Sequence, residues 1–293
     1  MRQLVILSGK GGTGKTTVAA ALAHLASSEG LIVIADADVD AANLELVLNP
    51  TTVEEHAFVA GNVAHIDGSL CTACGECARL CRFDAVMAAD ESYAIDRLAC
   101  EGCGVCFHFC PASAICLQPR HAGQWYRSQT RYGPLFHARL FAGEGNSGKL
   151  VTLVKQQACS MAVDTGARFL LVDGPPGIGC PVIAACVGAD LALLVAEPTV
   201  SGVHDLERIL ATCDHFGLRS AVLVNKADLN ARRLAQIEDL CASRGTRVLG
   251  HVPFDLVVTE AMVHGQPVTA YADGPVSDEL RLAWARIKEQ LGA

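Results

Sequence analysis

Residues 8–17 read Ser8-Gly9-Lys10-Gly11-Gly12-Thr13-Gly14-Lys15-Thr16-Thr17. The apolar run Leu4-Val5-Ile6-Leu7 precedes them, and an Ala- and Leu-rich stretch with helical patterning, Val18 to Ala26, follows. The order is strand, glycine loop, helix. Gly9 through Lys15-Thr16 satisfies G-x-x-x-x-G-K-[ST], the pattern of a phosphate-binding loop. Gly9, Gly11, Gly12 and Gly14 keep Cβ atoms out of the way while backbone N–H groups converge on phosphate oxygens. The helix beginning at Lys15 adds the positive end of its dipole. Lys15 is expected to reach the β- and γ-phosphates of a nucleotide, and the Thr16 hydroxyl to ligate Mg²⁺. Lys10, just after the first glycine, is a second lysine in the loop.

Working outward, the 293 residues allow two domains and a sizeable core. A hydrophobic content of 51% excludes a disordered chain. No apolar run approaches the roughly 18 residues of a membrane span, and the N-terminus enters a strand directly. Neither a signal peptide nor a membrane helix is expected, which points to the cytoplasm. A formal net charge of −8 argues against broad nucleic-acid binding. Fourteen cysteines without an export signal suggest metal or cluster binding rather than disulfides.

Leu31 to Ala35 reads as a second buried strand, ending in Asp36-Ala37-Asp38-Val39-Asp40. Carboxylates at the carboxyl end of a parallel strand lie where ligands bind in open α/β sheets. Phe169 to Val172 forms another such strand, ending in Asp173-Gly174-Pro175-Pro176-Gly177-Ile178-Gly179-Cys180. The Gly- and Pro-rich turn after Asp173 suits a segment with discrete states. Two further buried strands cover 191–196 and 221–224, the second ending in Asn225-Lys226-Ala227-Asp228. The Asn225 amide offers a donor and an acceptor to a purine edge. The tail from Asp278 reads as a helix with Leu280, Ala283, Trp284, Ile287 and Leu291 on one face, packed on the core.

Between these strands the composition changes. Cys71-x-x-Cys74-x-x-Cys77-x-x-x-Cys81 is followed 29 residues later by Cys100-x-x-Cys103-x-x-Cys106-x-x-x-Cys110-Pro111. The flanks repeat as well, with His65-Ile66-Asp67 against Ala94-Ile95-Asp96. The spacing resembles that of bacterial two-cluster ferredoxins, in which the fourth cysteine of each run ligates the other cluster. That resemblance implies Cys71, Cys74, Cys77 and Cys110 for one [4Fe–4S] cluster and Cys81, Cys100, Cys103 and Cys106 for the second. Arg82 stands where the motif has proline, which removes rigidity but no ligand. A segment this small needs its clusters as staples. Residues 119–150 carry two short strand-like runs, at 124–126 and 135–140, and a turn-rich loop at 143–149. Cys180, Cys116, Cys159, Cys213 and Cys241 are expected to be buried and inert.

With Lys10 and the two aspartate-ended strands, the chain resembles the MinD/ParA family of P-loop ATPases, which includes the nitrogenase iron protein and the Mrp-type iron–sulfur carriers. The resemblance covers about 1–61 and 119–293, with residues 62–118 as an inserted ferredoxin domain. It implies a doubly wound, mostly parallel α/β sheet carrying a small two-cluster module. It also implies that Lys10 crosses a dimer interface to the partner's nucleotide, and that Asp38 positions or deprotonates the attacking water. Lys10, Lys15 and Asp38 are then the catalytic residues, and Gly9 to Thr17 bind ATP. Gly177 would sense the γ-phosphate through its N–H, Asn225 would bind adenine, and the backbone at Val252 and Pro253 would frame it. Thr16, Asp36, Asp40 and Asp173 are candidates for Mg²⁺ or its waters, although helix capping describes Asp40 equally well.

The implied function is Mg²⁺-dependent ATP hydrolysis whose nucleotide state gates electron transfer or metal-cluster assembly. The cofactors would be ATP, Mg²⁺ and two [4Fe–4S] clusters. The partners would be a second copy or a paralogous ATPase, and a redox or cluster-accepting protein; no nucleic acid and no stable membrane insertion are expected. The alternative is a spatial organiser of the MinD/ParA type in which the cysteine module is structural or a docking unit. A synthase of the amidotransferase type, of related fold, is a third reading; no glutaminase-type Cys/His pairing supports it.

Overall fold

The computed structural model describes residues 1–293. In chain order its strands are β1 (Arg2–Ser8), β2 (Ile32–Asp36), β3 (Thr51–Ile66), β4 (Val86–Ala89), β5 (Ser92–Ile95), β6 (Ile115–Gln129), β7 (Pro134–Leu140), β8 (Phe169–Pro176), β9 (Leu191–Ala196), β10 (Ser220–Asn225) and β11 (Arg247–Val252). The helices are α1 (Lys15–Ser27), α2 (Leu44–Leu48), α3 (Glu76–Leu80), α4 (Val105–His108), α5 (Ser147–Asp164), α6 (Cys180–Cys186), α7 (Val200–His215), α8 (Ala231–Ser243), α9 (Val257–Val263), α10 (Val268–Tyr271) and α11 (Pro275–Leu291). The chain divides into two compact units. The larger holds Met1–His56, Trp125–Arg139 and Ser147–Ala293; the smaller holds Ala57–Gln124 and Leu140–Asn146.

In the larger unit the strand order is β11-β10-β9-β1-β8-β2-β7, continued in the sheet by β6 and β3. Every pairing from β11 to β7 is parallel. β1, β2, β8 and β9 are near-continuous runs of Val, Ile, Leu and Ala, as strands covered on both faces must be. β1 lies between β8 and β9; the chain leaves it towards β2 on one side, and the later connection from β8 to β9 crosses to the other. That places the loop after Ser8 at the switch point of the sheet, where ligands bind. α1 buries Val18 to Ala23 and Ala26 against the core, close packing that its short alanine side chains permit. α11 buries Leu280, Ala283, Trp284, Ile287 and Leu291, the face expected from the sequence, and Trp284 meets Phe169 edge-on at 5.1 Å. No helix is long and apolar enough to cross a membrane.

The smaller unit repeats its backbone as well as its sequence. Ala73, Gly75 and Asp84 have positive φ, and so do Gly102, Gly104 and Ser113, each 29 residues further on. Asp67 N–H donates to Ala114 O and Asp96 N–H to Ala85 O, so each half borrows the same hydrogen bond from the other. The apolar core is small: Val63, Ala64, Ala85, Cys100 and Ile115, with Cys77, Cys81, Cys106 and Cys110 packed around it. The unit is wider than residues 62–118, because the flanking strand residues and Leu140–Asn146 pack with it. The run at 124–126 lies inside the long strand β6, and the turn-rich loop is shorter than its sequence suggests because α5 begins at Ser147.

Candidate functional site

The larger unit has a cavity of about 790 Å³ at the carboxyl end of the parallel strands. Gly11 to Thr17 form its floor. Two glycines of the loop are required by their surroundings. A Cβ on Gly9 would lie 2.6 Å from the Asp205 carbonyl oxygen, and Gly14, at φ 90°, would press one to 2.2 Å from Asn225 Nδ2. Asn225 Nδ2 donates to Thr13 O at 2.8 Å, so the end of β10 holds the loop as well as lining the cavity. Asp38 and Asp40 form one wall, Pro175, Pro176 and Pro181 another, and Pro253, Phe254, Val258 and Met262 an apolar side suited to a flat base.

Lys15 Nζ contacts Asp173 Oδ1 at 2.7 Å and lies 3.7 Å from Asp38 Oδ2; Lys15 and Asp38 line the cavity, whereas Asp173 is buried behind them. Burial opposes the Lys15 charge, but Asp173, Asp36 and Asp38 outweigh it and raise its pKa. Asp36 is fully buried; burial and the neighbouring Asp173 carboxylate push it up to about 8 despite Lys15. Burial raises Asp38 too; Lys15 pulls it down, while Asp173 and Asp40 add to the rise. Asp173 Oδ2 is buried without a hydrogen-bond partner, an anionic oxygen suited to a cation or its water.

Several expected residues stand elsewhere. Asp36 lies behind the cavity wall and accepts the Asp38 and Leu44 N–H groups, each at 3.1 Å, so it orients the loop that carries Asp38 and does not face the cavity. The Gly177 N–H donates to Ser8 O at 2.9 Å and so is turned away from the phosphate position. Val252 is buried; Pro253 reaches the cavity. Gly9 and Lys10 line a small separate cleft against α7. Sequence reasoning missed Phe254, Val258 and Met262, which carry no motif, and Glu197, a lone carboxylate at the end of β9.

In the smaller unit Cys71, Cys74, Cys77 and Cys110 line one cavity, and Cys81, Cys100, Cys103 and Cys106 line a second. Each cavity thus takes three thiols from one run and the fourth from the other. The left-handed residues bend each run around its cavity: Ala73 and Gly75 in the first, Gly102 and Gly104 in the second. Gly102 also passes so close to Asn62 that an added Cβ would lie 2.1 Å from its carbonyl oxygen. Ala114 N–H donates to Cys110 Sγ at 3.3 Å. No three His, Cys, Asp or Glu side chains converge tightly enough to hold a single metal ion. Outside the two sets, Cys186, Cys213 and Cys241 are buried, and burial pushes Cys213 up to about 12. Cys180 and Cys116 are exposed rather than buried, because Cys180 opens α6 just beyond a strand end and Cys116 points outward from β6.

Residues 4–268 match the CobQ/CobB/MinD/ParA nucleotide binding domain. An uncharacterised protein of Methanocaldococcus jannaschii is 31% identical over 287 residues, covering 98% of this chain and 96% of the relative. The chain belongs to this family of P-loop nucleotide hydrolases. Its fold is that of the septum site-determining protein MinD from Pyrococcus horikoshii, solved with Mg-ADP (TM-score 0.60, 19% identity, 99% and 97% of the two chains). It is equally similar to MinD in the MinC:MinD complex of Aquifex aeolicus (TM-score 0.60, 18% identity, 99% and 96% covered).

Proposed function

We propose that the protein is a MinD/ParA-type ATP-driven switch. The carrying observation is the convergence of the phosphate loop, Asp38, Asn225 and Pro253 on one cavity of nucleotide size. Gly11 to Gly14 and the start of α1 receive the phosphates, Thr16 and Asp173 hold Mg²⁺ directly or through water, and the apolar side takes the adenine. Lys15 exchanges Asp173 for the phosphates when nucleotide enters, which frees the Asp173 carboxylate for the cation. Asp38, held at the cavity wall by the backbone contacts of Asp36, orients the attacking water. Lys10 acts across a pair of identical or paralogous copies. A partner protein reads the nucleotide state, in keeping with the MinC complex of the Aquifex relative; in this reading the cysteine unit is a docking or structural module.

The cysteine unit supports a more specific form. What supports it is that each set of four thiols lines one cavity, three from one run and the fourth from the other, the grouping that the spacing of a two-cluster ferredoxin implies. Bound there, such clusters would supply one-electron transfer. The four thiols of each set would be the ligands, and Gly75, Gly102 and Gly104 would let the backbone pass close. Nucleotide state would then gate electron delivery, or metal-cluster assembly on a partner protein. Anaerobic purification followed by EPR of the reduced protein with and without Mg·ATP tests this. Two interacting cluster signals that change with ATP are expected. Two signals indifferent to ATP would leave the docking reading standing, and absence of iron after reconstitution would overturn the cluster assignment.

A further inference from the structure

Lys10 has a strong partner within its own chain. Its ammonium lies 2.5 Å from Glu197 Oε1 and donates to Ser201 Oγ at 2.9 Å and Thr199 Oγ1 at 3.3 Å. The other Glu197 oxygen takes Lys226 Nζ at 3.2 Å, and Lys226 Nζ also donates to Gly12 O at 3.3 Å. Glu197 is only 8% exposed. Burial works against its carboxylate, but Lys10 and Lys226 outweigh that and hold it below the ordinary range.

The turn behind Glu197 is rigid. Thr199 Oγ1 caps α7 by accepting the Gly202 N–H, and a Cβ on Gly202 would lie 2.1 Å from Glu197 O. Gly9 packs against Asp205 of the same helix. The loop carrying Lys10 and the turn carrying Glu197 are therefore fixed with respect to one another, and what remains free to change is the side-chain contact.

We infer that Glu197 is a latch: it holds Lys10 on its own chain, and the ATP-dependent pairing of two copies must first break that contact. The inference rests on the proposed action of Lys10 across the pair. One ammonium cannot lie against Glu197 and against a partner's phosphate at the same time. The strength of the Glu197 contact is therefore subtracted from the strength of pairing. Lys226 makes the release reversible, because the buried carboxylate keeps one cation when Lys10 leaves. A buried anion stripped of every partner would cost far more. Glu197 is a positioning residue in this scheme; it touches neither phosphate nor water.

Sedimentation velocity of the full chain with Mg²⁺ and a non-hydrolysable ATP analogue tests the latch. Glu197→Gln keeps the shape and removes the charge, and is expected to lower the protein concentration at half-pairing by about tenfold. Ser201→Ala removes one neutral acceptor at an exposed position and should shift it the same way by about twofold. In a Lys10→Ala background neither change should have an effect. A purely structural role for Glu197 predicts weaker pairing, the opposite sign. Unchanged or weaker pairing in both single variants, with Lys10→Ala defective, overturns the latch alone. Pairing of Lys10→Ala equal to the wild type overturns the cross-chain role of Lys10, and the latch with it.

Discussion

The phosphate loop and the cysteine runs both bend the chain around a site with left-handed residues, yet they rest on different supports. Beneath the phosphate loop lie β1, β8 and β9, buried but for the ends Arg2 and Pro176, with α1 packed on them, and the left-handed positions are Gly12 and Gly14. Beneath the cysteine runs lies a core of a few small side chains, and three of the left-handed positions are Ala73, Asp84 and Ser113. Non-glycine residues in that conformation each cost about 1 kcal/mol. The larger unit is thus stabilised by its own apolar burial. The smaller one carries backbone strain on a small core, so the proposed clusters, if bound, would supply the staples that its apolar burial does not.

The strongest way to break this contrast is to remove a thiol. On the proposed cluster assignment, Cys77→Ser should cut bound iron to about half and leave Ala57–Gln124 open to protease, while nucleotide affinity stays within about twofold. Iron analysis, limited proteolysis and a fluorescent-nucleotide titration measure the three effects. If the cysteine unit resists protease after iron is chelated, its small core suffices and the contrast fails.

A smaller effect separates the two halves of the repeat. Gly102→Ala adds a Cβ into Asn62 O at a left-handed position and should destabilise the cysteine unit by more than about 2 kcal/mol. Ala73→Gly, at the equivalent position, relieves strain and should stabilise it by roughly 0.5–1 kcal/mol. The temperature at which 57–124 becomes open to protease reads both. Equal responses at the two positions would show that the repeat is symmetric in energy as well as in backbone.

The smallest effect lies in the larger unit. Lys155 is buried, donates to Ala185 O and Val187 O at the end of α6, and burial lowers it to about 8 despite the nearby Cys186 and Cys159. The unfolded chain binds this proton more tightly, so Lys155 should make stability rise with pH from about 8 towards the ordinary lysine value near 10.4. The difference between wild type and Lys155→Met in urea midpoint, followed over that range, isolates this slope from the cysteines titrating nearby. A flat difference would show that the folded ammonium is not destabilised.

The motifs legible in the sequence are those whose parts are neighbours along the chain. The phosphate loop needs a strand, four glycines and a helix within some twenty-five residues, and backbone sterics alone assign it. The cysteine spacing and its 29-residue repeat are equally local, and the positive φ values recur at the same period. The apolar runs of β1, β2, β8, β9 and β10 announced a buried parallel sheet because both faces of each strand are covered.

What the tertiary structure alone decided depends on contacts between residues far apart. It turned Asp36 away from the cavity onto the Leu44 N–H, and bound the Gly177 N–H to Ser8. It widened the cysteine unit to include Leu140–Asn146. It brought Glu197 between Lys10 and Lys226, residues separated by most of the chain, because β9 and β10 end beside the phosphate loop once the sheet has assembled. Local spacing specifies chemistry that one short segment can perform; the direction in which a carboxylate or an N–H points is settled only by what packs against it.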